Sequence, residues 1–227
     1  ENGEYKKTFG WETDSTSYEY TNFLRQLLTE LIAYMKKGGN DKRCFFHISD
    51  EPQMDHIESY RAAKSSVEDL LEGYVIMDAL SKIDFYREGI IKNPIPCNNH
   101  IEPFLEAYAE EGREDLWTYY CCSQNKSVSN RFFGSPGART RYIGVQFYRY
   151  KISGFLQWGY NFYYDKMAKG IVDPKLTPSG YKNMPGAAFI VYPWIGSCLP
   201  SLRSVYMKEA LSDLAALRAL EELTDYE

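Results

Sequence analysis

Residues 43–52 read RCFFHISDEP, an apolar run that ends in two adjacent acids and a proline. Its first part, residues 43–49, has the length and composition of a strand that is buried on both faces of a sheet. Apolar residues recur every three or four positions before this run, over 20–37, and again after it, over 54–73. This spacing predicts a helix on each side of the strand.

The same alternation continues to the end of the chain. Further strand-like runs lie at 74–80, 94–97, 116–122, 155–160 and 187–192, and further helical patterns lie at 83–91, 102–111, 138–152 and 202–223. Strands that alternate with helices predict a parallel sheet covered by helices. The pattern gives about six strands, fewer than the eight of a closed (β/α)8 barrel.

We therefore expect an α/β fold with one of two architectures. Either the chain holds the later strands and helices of a (β/α)8 TIM-type barrel, a partial barrel whose first strands lie upstream of Glu1, or the sheet is open. The first residues, ENGEYKKTFGW, read as the interior of a longer sequence. No repeat or linker divides the chain, so we expect residues 1–227 to form a single domain that lacks upstream strands.

Charge and composition argue against several classes of protein. The net charge is −5, and basic residues are interspersed with acids, whereas a nucleic-acid-binding protein concentrates them on one face. No window approaches the roughly 18 apolar residues of a membrane helix. The five cysteines follow no metal-ligand spacing, and adjacent Cys121 and Cys122 would point to opposite faces of a strand. We expect no nucleic-acid partner, no membrane segment, no metal and no other cofactor.

Aromatic residues make up 16% of the chain, with 20 Tyr and 4 Trp. Aromatic rings pack against the C–H faces of sugars while Tyr hydroxyls reach polar groups, so this richness favours a glycan-binding site. A large aromatic core with a tyrosine-rich surface would give the same composition.

Functional side chains in such folds follow the C-terminal ends of the strands. This rule selects Asp50 and Glu51 after the first strand and Asp78 at the second. At the later strand ends it selects Tyr120, Cys122, Ser123, Trp158, Tyr160 and Asn161. Carboxylates, an amide and aromatic rings on one rim are typical of a sugar pocket.

These residues also have structural interpretations. Asp50 and Glu51 could cap the following helix, and Asp78 could cap the next one. Trp158 could belong to the core. His47 lies within the predicted strand, so we expect a hydrogen-bonded core histidine and not a base.

The adjacency of Asp50 and Glu51 limits the chemistry that they could perform. In the usual retaining glycosidase two carboxyl groups flank the sugar, roughly 5 Å apart. Sequence neighbours cannot easily straddle the ring in that way. They suit substrate-assisted hydrolysis instead, in which the 2-acetamido oxygen of the substrate attacks the anomeric carbon. One acid then holds the acetamide N–H, and its neighbour protonates the leaving group.

Five segments together resemble the catalytic domain of glycoside hydrolase family 123. They are HISDEP at 47–52, LWTYYCCS at 116–123, the step Asn130-Arg131, GFLQWGYNFY at 154–163 and SLRSVYMKEALSDL at 201–214. The resemblance extends over nearly the whole chain. Their order and spacing carry it more than any single motif.

The resemblance implies a (β/α)8 barrel and a retaining, substrate-assisted exo-β-N-acetylgalactosaminidase. It implies that Asp50 orients the acetamido group and stabilises the oxazolinium, and that Glu51 is the general acid/base. Asn130 and Arg131 match a step of the family and are candidate substrate-binding residues. They join the residues selected by position as substrate-binding candidates, which are Asp78, Tyr120, Trp158, Tyr160 and Asn161. The implied partner is a glycan or glycoconjugate with a terminal N-acetylhexosamine. The implied location of the protein is the periplasm, the cell surface or the extracellular space.

Two other functions fit the residues. A retaining glycosidase of another specificity would use Glu51 as acid/base and a separate nucleophile, for example Asp78. A non-catalytic remnant of a barrel would only bind glycan.

Overall fold

The structure is a computed structural model that describes residues 7–10, 12–124, 127–164, 170–176 and 185–224. Contacts between Cα atoms divide the chain into two units, Glu1–Pro94 and Ile95–Glu227, and each is described by itself. That residues 1–227 form one catalytic domain stays a prediction.

The first helix, α1 (Tyr18–Lys37), is the amphipathic helix expected from the sequence, with two more residues at its start. Its buried residues Leu28 and Ile32 belong to a cluster with Val67 and Leu71. After the helix, Gly39 adopts a φ of 67°, a left-handed conformation that glycine takes without steric cost. Burial of this apolar stripe therefore packs α1 against the rest of the first unit.

The strands of the first unit are β1 (Phe45–Phe46), β2 (Val75–Ile76) and β3 (Asp78–Ala79). β1 and β2 pair in parallel, as predicted. Two backbone hydrogen bonds continue past this pair, from Met77 N–H to Phe46 O and from Glu51 N–H to Ala79 O, both at 2.9 Å. They hold the segment that follows β1 against the segment that follows β2.

β1 is shorter than the predicted strand over 43–49 because the next backbone donors bond elsewhere. The N–H groups of Ile48 and Ser49 donate to the side chain of Asp78, at 2.8 and 3.0 Å. A side-chain acceptor thus replaces the carbonyls of a neighbouring strand. Hydrophobic pattern alone does not reveal this competition.

The helices after β1 and β3 are also shorter than predicted. The pattern over 54–73 forms a 3₁₀ turn (Met54–His56), the helix α2 (Ile57–Ser65) and a series of turns. The pattern over 83–91 forms only α3 (Asp84–Arg87). Gly89, at a φ of 68°, follows its last turn. The fully buried Phe85 of α3 packs with Tyr60 and Leu80, and Ile48, two residues before Asp50, packs against this cluster.

The second unit continues the alternation. Its helices are α4 (Glu102–Glu110), α5 (Gly137–Arg141), α6 (Ile143–Arg149) and α7 (Leu202–Thr224). β4 (Pro94–Ile95) crosses the boundary of the two units, and β5 (Trp117–Tyr119) pairs in parallel with β6 (Gly154–Leu156), as predicted. A Cβ on Gly154 would lie 2.1 Å from the Trp117 ring, so this pair requires glycine.

The predicted helix over 138–152 is two helices, α5 and α6, separated by Tyr142. Both pack on α7. The α6 backbone at Gly144 approaches α7 so closely that a Cβ there would lie 2.0 Å from Ala210 O. Arg141 reinforces the contact through two bonds to Asp213, at 2.6 and 2.7 Å.

The last strands differ from the prediction of one strand over 187–192. β7 (Val191–Trp194) pairs antiparallel with β8 (Ser197–Pro200), so the chain forms a hairpin here. Gly196 supplies the positive φ of the turn, 63°. Residues 187–190 are buried and precede β7; within them Phe189 forms only an isolated antiparallel bridge, to Asn161.

The structure confirms the α/β class, but the strands do not form the single parallel sheet that was predicted. Every sheet in the described ranges has two strands, and these residues form no closed barrel. The predicted parallel order is present at β1–β2 and β5–β6. Among the same residues, no helix is both long and apolar enough to cross a bilayer.

Candidate active site

A fully buried carboxylate, that of Asp78 in β3, organises the end of β1. Its Oδ1 accepts hydrogen bonds from the N–H groups of Ile48 and Ser49, and Nδ1 of His47 lies 2.7 Å from the same oxygen. Its Oδ2 accepts a hydrogen bond from the buried Tyr60 hydroxyl at 2.5 Å. A buried charge is tolerated when it is paired and hydrogen-bonded, so these contacts explain how Asp78 can stay ionised.

The pKa values of this cluster follow from its contacts. Burial raises the pKa of Asp78, but the hydrogen bonds from His47, from Tyr60 and from the two backbone N–H groups outweigh it and lower the pKa overall. The hydrogen bond to Asp78 raises the pKa of His47 despite partial burial. Burial raises the pKa of Tyr60, which therefore stays a neutral donor. The imidazolium form of His47 thus persists to higher pH than in a free histidine.

His47 differs from the core histidine expected from the sequence. It is hydrogen-bonded, as expected, but β1 ends one residue before it and 53% of its side chain is exposed. Its charge also acts on Asp50, whose pKa it lowers. Its position three residues before Asp50 is the sequence feature that could have indicated this proximity.

Asp50 follows the segment that Asp78 anchors. Partial burial raises its pKa, and the negative charges of Glu51 and Asp78 act in the same direction. The charge of His47 opposes them without cancelling them, and the pKa of Asp50 is raised overall. Asp50 is therefore a partly desolvated carboxyl group whose ionisation depends on three neighbours.

Glu51 has an unusual backbone conformation. Its φ is 46°, in the left-handed region that non-glycine residues rarely adopt. Two hydrogen bonds hold this conformation. The Glu51 N–H donates to Ala79 O, and the Gln53 side chain donates to Glu51 O at 3.1 Å. Backbone strain of this kind costs about 1–3 kcal/mol and clusters at functional sites. The left-handed φ gives the Glu51 side chain a direction that it would not have in a regular strand.

The start of the following helix bears on the capping interpretation of the acids. The 3₁₀ turn that leads into α2 is closed by a capping box between Gln53 and His56. The N–H of Gln53 donates to Nδ1 of His56 at 3.1 Å. The cap thus lies after the buried Pro52, and neither Asp50 nor Glu51 supplies it.

Tyr120 in the second unit is fully buried, directly after β5. Its ring packs on Phe155 with centroids 4.8 Å apart. Burial raises the pKa of Tyr120 to about 12, although the charges of Arg131 and Arg203 act in the opposite direction. Within the described residues its hydroxyl has no hydrogen-bond partner. An unpaired buried hydroxyl is costly, so a water or a ligand group is expected to complete it.

Asn130 and Arg131 are buried and contact the protein's own backbone. The Asn130 amide donates to Cys121 O at 3.0 Å and to Gln124 O at 2.8 Å. The Arg131 guanidinium donates to Gly159 O and, at 2.9 Å, to Ala187 O. Burial lowers the pKa of Arg131 to about 10. These bonds fix the loops around Tyr120 and Trp158, and sugar binding by Asn130 and Arg131 stays a prediction.

Trp158, Tyr160 and Asn161 lie in one exposed segment after β6. Trp158 is 40% exposed and Tyr160 is 61% exposed, so the core interpretation of Trp158 does not describe it. The segment is held by a hydrogen bond from Ile190 N–H to Tyr160 O at 2.8 Å and by a bridge from Asn161 to Phe189. The Trp158 ring packs against Phe162, with centroids 5.5 Å apart.

The structure thus groups the candidates within each unit. In the first unit Asp50, Glu51 and Asp78 lie together, joined by the unpredicted His47 and Tyr60. In the second unit Arg131 links the Tyr120 region to the Trp158 segment. The catalytic and substrate-binding roles of these residues stay predictions. In the described part of the chain no three His, Cys, Asp or Glu side chains are grouped to hold a metal ion.

Asp78→Asn is expected to lower the free energy of unfolding by about 2–3 kcal/mol at pH 7, because hydrogen bonds to a charged group contribute about 1.5–3 kcal/mol. The folded-state pKa of Asp78 is lowered. Its stabilisation is therefore present above the unfolded pKa, near about 3.9, and is lost as the pH falls through the folded value. Denaturant unfolding from pH 7 to pH 3 should show the difference from wild type shrinking in acid.

Tyr60→Phe is the matched control, because it removes one donor and keeps the charge. It should cost about 1–2 kcal/mol. Equal losses for both variants, or a loss for Asp78→Asn that does not change with pH, would contradict the role given to the ionised carboxylate.

The family model described as glycoside hydrolase 123, catalytic domain, matches residues 1–220. A family 123 glycoside hydrolase from Clostridium perfringens, studied for glycolipid glycan hydrolysis, is similar in structure with a TM-score of 0.68 and 20% identity. The match covers 92% of this chain and 37% of that one, so this chain corresponds to a little over a third of its relative. Among curated proteins no match was found.

Proposed function

Because the chain belongs to glycoside hydrolase family 123, we propose that it carries the catalytic residues of a retaining exo-β-N-acetylgalactosaminidase that uses substrate-assisted catalysis. The observation that carries the proposal is the anchored acid pair. Buried Asp78 holds the backbone immediately before Asp50, and Glu51 next to it has a left-handed backbone. A catalytic constellation needs this kind of preorganised support.

The proposed reaction begins with attack of the substrate's own acetamide oxygen on the anomeric carbon. Asp50, as a carboxylate, accepts a hydrogen bond from the acetamide N–H and stabilises the oxazolinium that forms. Glu51 gives its proton to the leaving glycosidic oxygen. Glu51 then takes a proton from the incoming water, which opens the oxazolinium and regenerates the acetamide with retained configuration.

The exposed aromatic segment supports sugar binding in the second unit. Trp158 and Tyr160 offer faces for the apolar side of a ring, and Asn161 offers an amide. We propose that Tyr120, Trp158, Tyr160 and Asn161 are sugar-binding residues of this unit, while Asn130 and Arg131 position the loops. The relative from Clostridium perfringens was studied for glycolipid glycan hydrolysis. A glycolipid or another glycoconjugate with a terminal N-acetylhexosamine is therefore the proposed substrate.

The proposed architecture is part of a (β/α)8 barrel. The parallel pairs β1–β2 and β5–β6 and the structural likeness to a longer family 123 enzyme support it. The alternative mechanism with Asp78 as nucleophile has weaker support, because Asp78 is fully buried and both its oxygens accept hydrogen bonds from the protein.

A panel of aryl glycosides tests the proposal. We expect cleavage of the N-acetyl-β-galactosaminide and none of the β-galactoside, because only the former carries the internal nucleophile. Cleavage of the β-galactoside alone would overturn the substrate-assisted mechanism. Sugar binding without turnover would favour a glycan-binding remnant. The Asp50→Asn variant, prepared identically, sets the background rate.

His47→Gln is expected to move the acidic limb of the kcat/KM profile to higher pH. The charge of His47 lowers the pKa of Asp50, so its removal raises that pKa and delays formation of the required carboxylate. Profiles measured from pH 3 to pH 8 would show the shift. His100→Gln, a histidine of the second unit, is the control and should leave the limb in place. A limb that stays unchanged in both variants would rule out the electrostatic role of His47.

Tyr120→Phe is expected to lower kcat/KM by about 2- to 10-fold, the value of one neutral hydrogen bond, without lowering the free energy of unfolding. Its hydroxyl has no partner in the described protein, so its loss breaks no internal bond. Tyr163→Phe is the opposite control, because the Tyr163 hydroxyl donates to Val191 O at 2.7 Å. That variant should lose stability and keep KM. If Tyr120→Phe instead lost stability and kept kcat/KM, Tyr120 would have only a packing role.

A further inference from the structure

Two adjacent cysteines, Cys121 and Cys122, follow β5 with their sulfur atoms 2.9 Å apart. We propose that they are a reversible oxidation site that closes to a vicinal disulfide. A bonded disulfide has an S–S length of about 2.05 Å, so less than 1 Å separates the sulfurs from bonding distance. Disulfide formation at this pair does not depend on the proposed hydrolase activity.

The approach of the two sulfurs reverses the expectation from the sequence. On a strand, neighbouring side chains point to opposite faces. β5 ends at Tyr119, however, so the pair lies outside strand geometry. Of the other cysteines, Cys97 is buried, Cys198 is exposed, and the half-buried Cys44 donates to Asn40 O at 3.2 Å. Both Cys121 and Cys122 are half-buried, which leaves them accessible to a small oxidant.

The turn that brings the sulfurs together is anchored on its polar side. The N–H of Cys121 donates to the Gln124 side chain at 2.7 Å, and the Asn130 amide holds the carbonyls of Cys121 and Gln124. The Arg139 guanidinium reaches the Gln124 carbonyl at 3.2 Å. These bonds already restrict the turn in the reduced protein. Ring closure therefore loses less conformational entropy than it would in a flexible segment.

Ring closure is a balanced thiol–disulfide exchange with an added disulfide such as glutathione disulfide. One cysteine thiolate attacks a sulfur of that disulfide, breaks its S–S bond and forms a mixed disulfide. The second cysteine thiolate then attacks the protein sulfur of the mixed disulfide and forms the Cys121–Cys122 bond. The two glutathione thiolates that leave take up the two protons, so the protein is oxidised by two electrons and the glutathione disulfide is reduced.

The ring should open readily. Adjacent Cα atoms are about 3.8 Å apart across a trans peptide, shorter than the roughly 4.4 Å at the lower end of ordinary disulfides. Strained disulfides are the more easily reduced ones. This places the pair among reversible sites and not among permanent structural bridges.

The site is coupled to the aromatic segment through the neighbouring residues. Asn130 bonds the Cys121 carbonyl, and Arg131, the next residue, bonds the carbonyl of Gly159. Closure of the ring reorients the peptide between the cysteines and so changes the Asn130 contact. We expect the oxidised form to have a changed KM and an unchanged kcat, and this part of the inference rests on the proposed function.

Peptide mapping tests disulfide formation without any activity measurement. Cleavage after Arg113 and Lys126 releases residues 114–126, EDLWTYYCCSQNK, which contain both cysteines and no other. After treatment of the folded protein with glutathione disulfide, this peptide should lose the mass of two hydrogen atoms and resist alkylation. Dithiothreitol should reverse both changes.

Control variants separate ring closure from other thiol chemistry. Cys121→Ser and Cys122→Ser should each stop at the glutathione mixed disulfide, whereas Cys198→Ser should close the ring as wild type does. A wild-type peptide that keeps both thiols, or that accumulates glutathione adducts, would overturn the proposal. Ring closure with no change in KM, measured against the Cys122→Ser variant, would overturn the coupling to the aromatic segment.

Discussion

Glu51→Gln is expected to slow hydrolysis of an N-acetyl-β-galactosaminide with an alkyl leaving group by about 10³-fold, within the range of general acid catalysis. An alkoxide leaves slowly unless a proton reaches its oxygen, and Gln cannot donate one as a carboxylic acid does. With a dinitrophenyl leaving group, which needs no proton, the first step should be almost unaffected. Gln has the same shape as Glu, so we expect it to adopt the left-handed backbone at this position and the fold to be unchanged.

Initial rates on three or more leaving groups of graded basicity measure this effect. The wild-type enzyme should depend weakly on leaving-group pKa, and the variant should depend on it steeply. Azide should accelerate the variant on the activated substrate, because it replaces the water that Glu51 would deprotonate. Equal losses on all leaving groups would contradict the role of Glu51 as the proton donor.

Asp50→Asn should lose activity by about 10²–10³-fold whatever the leaving group, the magnitude typical of a lost charge-stabilising contact. The carboxylate is proposed to accept the acetamide N–H and to balance the positive oxazolinium, and a neutral amide does neither well. Unlike Glu51→Gln, this variant is not rescued by a better leaving group.

The comparison with Asp55→Asn controls for the loss of one negative charge nearby. Asp55 lies five residues further along, with its side chain 82% exposed, and its replacement should leave kcat/KM within about two-fold, as for surface substitutions generally. Asp50→Asn near the wild-type rate, or losses equal to those of Asp55→Asn, would remove the acetamide mechanism from consideration.

Hydrophobic pattern predicted the helices α1, α4 and α7 to within two residues, and the other helices and the strands less well. α1 was predicted to within two residues because its buried stripe is continuous. β1 was predicted too long, because the Asp78 carboxylate takes the N–H groups that a strand neighbour would otherwise bind. The hairpin of β7 and β8 was missed because an exposed strand such as Ser197–Pro200 has no apolar run to mark it. Competition between a side-chain acceptor about 30 residues away and sheet pairing is not visible in periodicity.

The candidate site shows the same division. Position at a strand end was enough to select Asp50, Glu51 and Asp78, because the carboxyl ends of parallel strands lie at one edge. The contacts of Asp78 could not be predicted, since Tyr60 comes from a helix and lies 18 residues away. His47 was assigned to the core because the strand was predicted too long. An error in one strand boundary thus misplaced one member of the site.

The most direct test of the central claim is the response of the wild-type protein to substrates with a fluorinated acetamide. Successive fluorine atoms weaken the acetamide oxygen as a nucleophile and leave the rest of the sugar unchanged. If that oxygen attacks the anomeric carbon, kcat/KM should fall steeply from the acetyl to the monofluoro-, difluoro- and trifluoroacetyl substrates. A rate that does not depend on fluorination would show that the acetamide oxygen is not the nucleophile and would contradict the roles assigned to Asp50 and Glu51.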